Sequence, residues 1–342
     1  MLVIVADDLT GALDTAAPFA ARGLHTEVVL KLGAVAHGLA LSPDVLSINL
    51  ATREKSPEEA FRLMRHVIGL LPRRVRLFKK IDSRLKGHIS AELDAITYQR
   101  ALVSPAIPAF KRVVLNGSIE GFGVATPIPI VDVLGQHAVR ALIPDALADG
   151  DLIRALEVAE ASHVDLLVGA RGLAEALAFR MTGRADAELV APPAGAGLFV
   201  IGSHDRITTE QVEQLRRLDL VAFNPAPNGV MAPSAPDPAR VVLVQATGGE
   251  TQISSEKVSE NLARSVHPRL TSQAQTMLLC GGATAEAVLD NMGIECFRLE
   301  GECMPGLGLA HARGQCIIAK SGGFGQPDTL VKLAEQLHGG RR

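Results

Sequence analysis

The sequence predicts an α/β protein made of two Rossmann-like domains, each on a mostly parallel sheet, with a cleft between them. Three observations predict the fold class. Short apolar runs alternate with helix-like stretches along nearly the whole chain. Those runs end in loops rich in glycine, carboxylates or lysine. One Pro/Gly/Ala stretch, APPAGAG at 191–197, interrupts the pattern and reads as a linker. Strand–helix alternation implies crossover connections, which keep strands parallel and put helices on the sheet faces. The domain boundaries are expected at 1–193 and 197–342.

LVIVA at 2–6 reads as a buried strand, and GALDTAAPFAAR as the helix after it, stopped at Gly23. TEVVLKL and DVLSINLA are the next strands. SPEEAFRLMRHVIGLL is a helix with Ser56 as N-cap, Pro57 at its first position and acids in its first turn. RVRLFKKI is a strand and HISAELDAIT a helix. ALVSPA and RVVLNG are further strands, and VDLLVG leads into the helix RGLAEALAFR. In the second half, GLFVIGS is a strand and TTEQVEQLRRL a helix. NPAPNGVMAPSAPDP carries five prolines and is expected to be irregular. RVVLVQA is a strand. QTMLLCGGATAEAVLDNM and QCIIAKSGGFGQPDTLVKLAEQL are each strand, glycine turn, helix. The tail GGRR is expected to fray. No internal repeat recurs at a fixed period.

Composition narrows the function classes. With 342 residues there is enough chain for two cores. Ten Phe, one Tyr and no Trp leave few stacking platforms for single-stranded nucleic acid. A net charge of -3 gives no basic field for DNA, RNA or an anionic membrane. No run of about 18 apolar residues suggests a membrane span, and the start lacks the pattern of a signal peptide. Cys280, Cys296, Cys303 and Cys316 are spaced by 16, 7 and 13 residues, which fits no zinc template. They read as reduced thiols of a cytoplasmic protein.

Ligands of open parallel sheets bind at the carboxyl ends of strands. The first strand ends in Asp7-Asp8, with Thr10 and Gly11 opening a helix. Two adjacent carboxylates repel and are costly to bury. The pair reads either as a helix cap with a favourable N-terminal charge or as part of a site. Another strand ends near Thr52-Arg53. A third runs into KKIDSRLKGH, and residues 73–86 hold seven Lys or Arg against one acid. Such a run is often a solvated face, but Lys79, Lys80 and Asp82 fall at a strand–loop junction. A cationic loop beside a carboxylate pair suits a small substrate that carries an anionic group and hydroxyls.

The second half offers three loops: GSHDRIT with Ser203 and Thr208, CGGATAEAV with Gly281, Gly282 and Thr284, and AKSGGFGQPD with Ser321, Gly322, Gly323 and Gly325. Glycine lets backbone N–H groups approach phosphate oxygens, and helix N-termini favour negative charge. Three such loops in one domain point to a nucleotide. The chain has no GxxxxGK[ST], no GxGxxG after its first strand, no HExxH and no GxSxG. GLGLAHARG at 306–314 only weakly echoes a dinucleotide fingerprint. His88 and His204 sit in candidate loops and read as incidental.

In order along the chain, ADDLTGALD, KKIDSRLKGH, GSHDRITTEQ, GGAT with AVL, Pro305-Gly306 and KSGGFG resemble the four-carbon acid sugar kinase family, of which this would be a shortened member. The resemblance implies an N-terminal acid-sugar domain over 1–193 and a C-terminal nucleotide domain over 197–342. It implies ATP as phosphoryl donor, with Mg²⁺, and a sugar acid such as threonate, erythronate or 3-oxotetronate as acceptor. Asp8, Arg53, Lys80, Asp82, Ser83 and Arg84 would contact the substrate. Asp8 is the first candidate for the catalytic carboxylate and Asp82 the second, with Asp7 positioning Asp8 or holding metal through water. Ser203, Gly281, Gly282, Ala283, Thr284, Gly322, Gly323 and Gly325 would contact ATP. Domain closure would exclude water. Neither nucleic acid nor membrane is an expected partner, and a homodimer is one assembly this allows. Three features depart from the family: a shorter segment after RVVLNG, Lys86 where arginine is more usual, and Ala283 where aspartate is frequent. A non-catalytic binding protein and a hydroxy-acid oxidoreductase are the competing expectations.

Overall fold

The computed structural model describes residues 1–232 and 241–339. The chain divides into two units, Met1–Glu188 and Leu189–Arg342.

In the first unit, β1 (Leu2–Ala6) runs directly into α1 (Leu9–Ala20). There follow β2 (Thr26–Val29), α2 (Val35–Ala40), β3 (Val45–Asn49), α3 (Pro57–Leu70), β4 (Arg76–Lys80), α4 (Ile89–Asp94) and β5 (Ala101–Ser104). A small antiparallel sheet of β6 (Arg112–Leu115), β7 (Ser118–Gly121) and β8 (Ile128–Pro129) comes next. RVVLNG is thus a strand, but of this separate sheet. The unit closes with α5 (Ile130–Leu134), β9 (Ala141–Leu142), α6 (Asp149–Ala161), β10 (Leu166–Gly169) and α7 (Arg171–Thr182). Its main sheet has the order β2-β3-β1-β4-β10-β5-β9, with every pair parallel. Every residue of β1 is buried, as befits a central parallel strand covered on both faces.

In the second unit, β11 (Gly197–Ile201) leads through a short loop to α8 (Arg206–Arg216). Then come β12 (Val221–Pro227), β13 (Val241–Thr247), α9 (Ser255–Val266), β14 (Thr276–Cys280), α10 (Gly282–Asn291), β15 (Cys296–Met304), β16 (Leu307–Ala312), β17 (Gln315–Lys320) and α11 (Thr329–Leu337). The order is β12-β13-β11-β14-β17-β16-β15, parallel from β12 to β17 and antiparallel from β17 to β15. One sequence expectation changes here. The Pro-rich stretch begins as strand, because Pro225 and Pro227 pair opposite Gln245 and Thr247 in β12. That strand lies at the end of the unit's order, where a proline's missing N–H costs no ladder bond on the open side. The remainder of the expected irregular segment, from 233, and the tail from 340 lie outside the described residues. GLGLAHARG is no nucleotide loop but β16 and its turn into β17.

The first four strands of the two units share one arrangement, second-third-first-fourth. In each, the first strand lies where the winding reverses direction. The loops after β1, β3 and β4, and those after β11, β13 and β14, therefore converge at a switch point, the place where such sheets take ligands.

Among the described residues, no helix is long and apolar enough to cross a membrane. Cys280, Cys303 and Cys316 are buried and all four cysteines are free. Burial pushes the Cys303 thiol up to about 12 and the Cys316 thiol up to about 11, so both are protonated and unreactive at neutral pH.

Helix α3 starts as its sequence predicts. Ser56 Oγ accepts from Glu59 N at 3.3 Å, and the Glu59 carboxylate accepts from Ser56 N. Replacing Ser56 with alanine removes this cap and should cost about 1 kcal/mol. Thermal unfolding should then show a drop of roughly 2–4 °C.

Candidate functional site

The first cluster is built at the ends of β1, β3 and β4. Asp7 and Asp8 leave β1 in opposite roles. Asp7 is buried, and Arg53 grips both of its oxygens, Nε to Oδ2 and Nη2 to Oδ1, each at 2.8 Å. The Asp7 carbonyl accepts from Thr52 N and Arg53 N, so the same residue also holds the backbone that carries the arginine. Asp8 is the N-cap of α1: its Oδ1 accepts from Gly11 N and its Oδ2 from Thr10 Oγ1, both at 2.8 Å. The third guanidinium nitrogen, Nη1, reaches Asp8 Oδ2 at 3.0 Å and Asp82 Oδ2 at 3.7 Å. One arginine thus binds three carboxylates, which answers the repulsion between Asp7 and Asp8.

Burial pushes the Asp7 carboxyl up, but the Arg53 hydrogen bond and the charges of Lys79, Arg53 and Lys80 outweigh it and hold it below the usual range. Beneath this pair lies a second one. Lys79 is fully buried and its Nζ meets Glu92 Oε2 at 2.8 Å. Glu92 Oε1 accepts from Thr52 Oγ1 at 2.6 Å, and Lys79 Nζ donates to Lys80 O at 2.7 Å. Lys79 falls in the cationic loop that the sequence marks, but neither it nor Glu92 is among the expected substrate contacts. A lysine facing inward from a strand, followed by a glutamate on the next helix, was the available signal.

Lys80 behaves differently. It is only 5% exposed, yet its Nζ makes no hydrogen bond or ion pair among the described residues. It lies 3.0 Å from where a Cβ of Gly11 would stand, beside the first turn of α1. Helix N-terminus and ammonium are both positive, so an anion placed between them is stabilised by both. Gly11 keeps that space open, since a Cβ there would also press on Asp8 Oδ1 at 2.5 Å.

Asp82 Oδ1 accepts from Arg84 N and Lys86 N, leaving Oδ2 with only the long contact to Arg53. Ser83 is buried and its hydroxyl accepts from Arg112 Nη1 at 2.6 Å. Arg112 also donates twice to Phe122 O, tying the loop after β7 to this site. Arg84 is half-buried, and its guanidinium donates no hydrogen bond among the described residues. Ala51 and Leu85, neither a glycine, are held in the left-handed region at φ 51° and 59° beside Arg53 and Arg84. Local strain of this kind persists where surrounding contacts fix the chain.

The second cluster lies within the second unit. Ser203 follows β11, and its Oγ accepts from Asp205 N at 3.2 Å. Gly281 sits at φ 104°, which only glycine adopts readily, and its N donates to Lys320 O at 3.0 Å. A Cβ on Gly202 would strike Thr284 Oγ1, and one on Gly322 would strike Ser203 Oγ. The three loops are therefore packed together by the glycines themselves. Gln211 Nε2 donates to Phe324 O and Gln326 O, which pins the far side of the Gly322–Gly325 loop. Thr284 is buried, with its hydroxyl 3.4 Å from Ser259 Oγ; Gly282, Ala283 and Thr284 form the first turn of α10, whose N–H groups have no acceptor within the helix. Lys320 lies under the loops, fully buried, and was not singled out as a site residue from sequence. Among the described residues, no three His, Cys, Asp or Glu side chains group as a metal site.

Residues 2–126 match the sugar-binding N-terminal domain family, and residues 198–330 match the nucleotide-binding C-terminal domain family. In that order on one chain, they define a class of protein with a sugar site in one unit and a nucleotide site in the other. The chain belongs to the four-carbon acid sugar kinase family. It is similar to the D-threonate kinase of Cupriavidus necator, at 27% identity over 96% of both chains. It is also similar to the 3-oxo-tetronate kinase of Methylobacterium radiotolerans, at 26% identity over 97% of this chain and 98% of that one. A crystal structure from Salmonella typhimurium, described as a tRNA synthase, superposes with a TM-score of 0.75 over 97% of this chain and 98% of its own. At 19% identity that likeness speaks for the fold alone.

Asp7→Asn leaves Arg53 without its two-point partner and should destabilise the first unit by about 3 kcal/mol at neutral pH. A depressed carboxyl contributes stability above its unfolded value of 3.8 and loses it as pH falls through the lower folded value. Urea titrations should show the gap between wild type and variant constant from about pH 7 to pH 5, closing only in stronger acid.

Proposed function

We propose that the protein is an ATP-dependent kinase that phosphorylates a hydroxyl of a four-carbon sugar acid of the threonate, erythronate or 3-oxotetronate type. One observation carries this reading: the buried ammonium of Lys80 makes no hydrogen bond or ion pair among the described residues and stands beside the first turn of α1, close to Asp8, in the unit that matches a sugar-binding domain. A site that offers a cation for a carboxylate, and aspartate oxygens for hydroxyls, is suited to a small sugar acid. The names of the relatives, kinases of D-threonate and 3-oxo-tetronate, support the same class.

In this reading Lys80 and Arg84 take the substrate carboxylate. Arg53, with Asp7 locked behind it, keeps Asp8 and Asp82 aimed at the hydroxyls. The geometry favours Asp82 over Asp8 as acceptor of the attacking hydroxyl's proton. Both Asp8 oxygens are held by the cap and by Arg53, whereas Asp82 Oδ2 has no hydrogen bond among the described residues. Ser203, the first turn of α10 and the Gly322–Gly325 loop receive the ATP phosphates. The residues there fit an Mg²⁺ ion held mainly by phosphate oxygens, because a single carboxylate, Asp205, borders Gly323. When bound, that ion would offset the charge on the transferred group. The protein's own share is to orient the hydroxyl, take its proton and surround the phosphates with N–H donors.

A coupled ADP-release assay over a panel of four-carbon sugar acids should show turnover with at least one of them. Asp82→Asn should lower kcat roughly 10²- to 10⁴-fold with the KM for ATP unchanged. Asp8→Asn, which keeps a capping side chain, should act mainly on the KM for the sugar acid. Wild-type kcat in the Asp82 variant would return the proton acceptor's role to Asp8. Saturable binding without ADP release would support a non-catalytic protein, and NADH formation an oxidoreductase.

A further inference from the structure

Lys320 is the last residue of β17, and its side chain is wholly buried. Its Nζ donates to Ser321 O at 3.0 Å and Thr208 Oγ1 at 3.2 Å, and lies 3.5 Å from Gly322 O and 3.9 Å from Cys280 Sγ. No carboxylate pairs with it among the described residues. Asp205 acts on it only through space. Thr208 Oγ1 also donates to Gly322 O, at 2.7 Å. The carbonyls of Ser321 and Gly322 are thus both drawn down onto one buried ammonium and its neighbouring hydroxyl.

In a trans peptide the C=O and N–H point in opposite directions. Holding the Ser321 and Gly322 carbonyls downward turns the N–H groups of Gly322 and Gly323 the other way, toward the loop's open side. Neither N–H donates to any group among the described residues. Both glycines are half-exposed. Successive outward N–H groups form an anion-binding nest. The backbone of Lys320 acts on the second glycine loop as well, since its carbonyl accepts Gly281 N.

We propose that Lys320 is a positioning residue for the nucleotide phosphates: from beneath the loop it sets the Gly322 and Gly323 N–H groups as a nest and supplies an unneutralised positive charge under it. This rests on the reading of the second unit as the nucleotide site. Burial draws the Lys320 amine below the usual lysine value, against the pull of Cys280 and Asp205. An ammonium kept in such a place gains from a polyanion close by.

The test compares ADP with AMP by isothermal titration on the full chain, for wild type, Lys320→Met and Thr208→Val. The wild type should prefer ADP. Lys320→Met should weaken ADP roughly 10- to 100-fold and AMP far less, so that the preference collapses. Thr208→Val, which removes a donor to Gly322 O and one acceptor of the Lys320 ammonium but keeps the charge, should move the same way by less and keeps the test open if the Lys320 variant does not fold. A merely structural lysine would lower thermal stability and weaken both nucleotides alike, and that result overturns the proposal. An unchanged preference for ADP in both variants overturns it too. A wild type that binds no ADP overturns the nucleotide reading itself, and this inference with it.

Discussion

Arg53 and Asp7 meet through two parallel hydrogen bonds of 2.8 Å, with the carboxylate almost wholly out of water. The rest of the first unit's site depends on that grip. It holds the turn after β3 against the end of β1, and it leaves one guanidinium nitrogen to reach Asp8 and Asp82. Without it, three carboxylates would face one another at the end of a parallel sheet, an arrangement Coulomb's law disfavours strongly in a place of low dielectric. Below it, Lys79 and Glu92 close a second buried pair that also fixes Thr52, the neighbour of Arg53. Once these partners are assigned, the Lys80 ammonium acts on Asp7 only through space and makes no hydrogen bond or ion pair among the described residues. Burying a cation without a partner costs several kcal/mol, a cost that a bound anion offsets.

The two units use one strand arrangement for two kinds of recognition. In the first, the loops at the switch point carry charged side chains, and glycine appears where a side chain would fill the space beside Lys80. In the second, the loops carry glycines, and in the proposed nucleotide site the groups offered to a ligand are backbone N–H donors. A buried lysine at a strand's carboxyl end occurs in both, with opposite exposure of its influence. Lys80 presents its own amine, whereas Lys320 spends its hydrogen bonds on carbonyls and acts through the peptide groups it turns. Such sites are rigid because their donors are backbone groups of packed loops, fixed before a ligand arrives.

Much of this was legible in the sequence. The alternating runs marked the central strands of both sheets, and Ser56-Pro57 marked the start of α3. The adjacency of strand ends to Asp7-Asp8, Arg53, KKIDSRLKGH and the three glycine loops located both clusters. Other features were not legible, each for a physical reason. Pro225 and Pro227 read as irregular because a central strand excludes proline, but the end position of β12 tolerates it. The sequence left Asp7-Asp8 open between a helix cap and a site, and which of the two aspartates caps α1 emerges only with the helix in place. Glu92, Lys79 and Lys320 matter through what they touch across the fold, and one-dimensional spacing does not show which lysine of a basic run turns inward.

The central claim is that Lys80 waits for the carboxylate of a small sugar acid. Calorimetric titration of D-threonate and of the neutral polyol threitol, into wild type and Lys80→Met, tests it most directly. Wild type should bind threonate with at least tenfold preference over threitol, a difference of about 1.4 kcal/mol, and Lys80→Met should lose this preference while its thermal unfolding stays close to that of wild type. Equal binding of acid and polyol by wild type, or an undiminished preference in Lys80→Met, would contradict it.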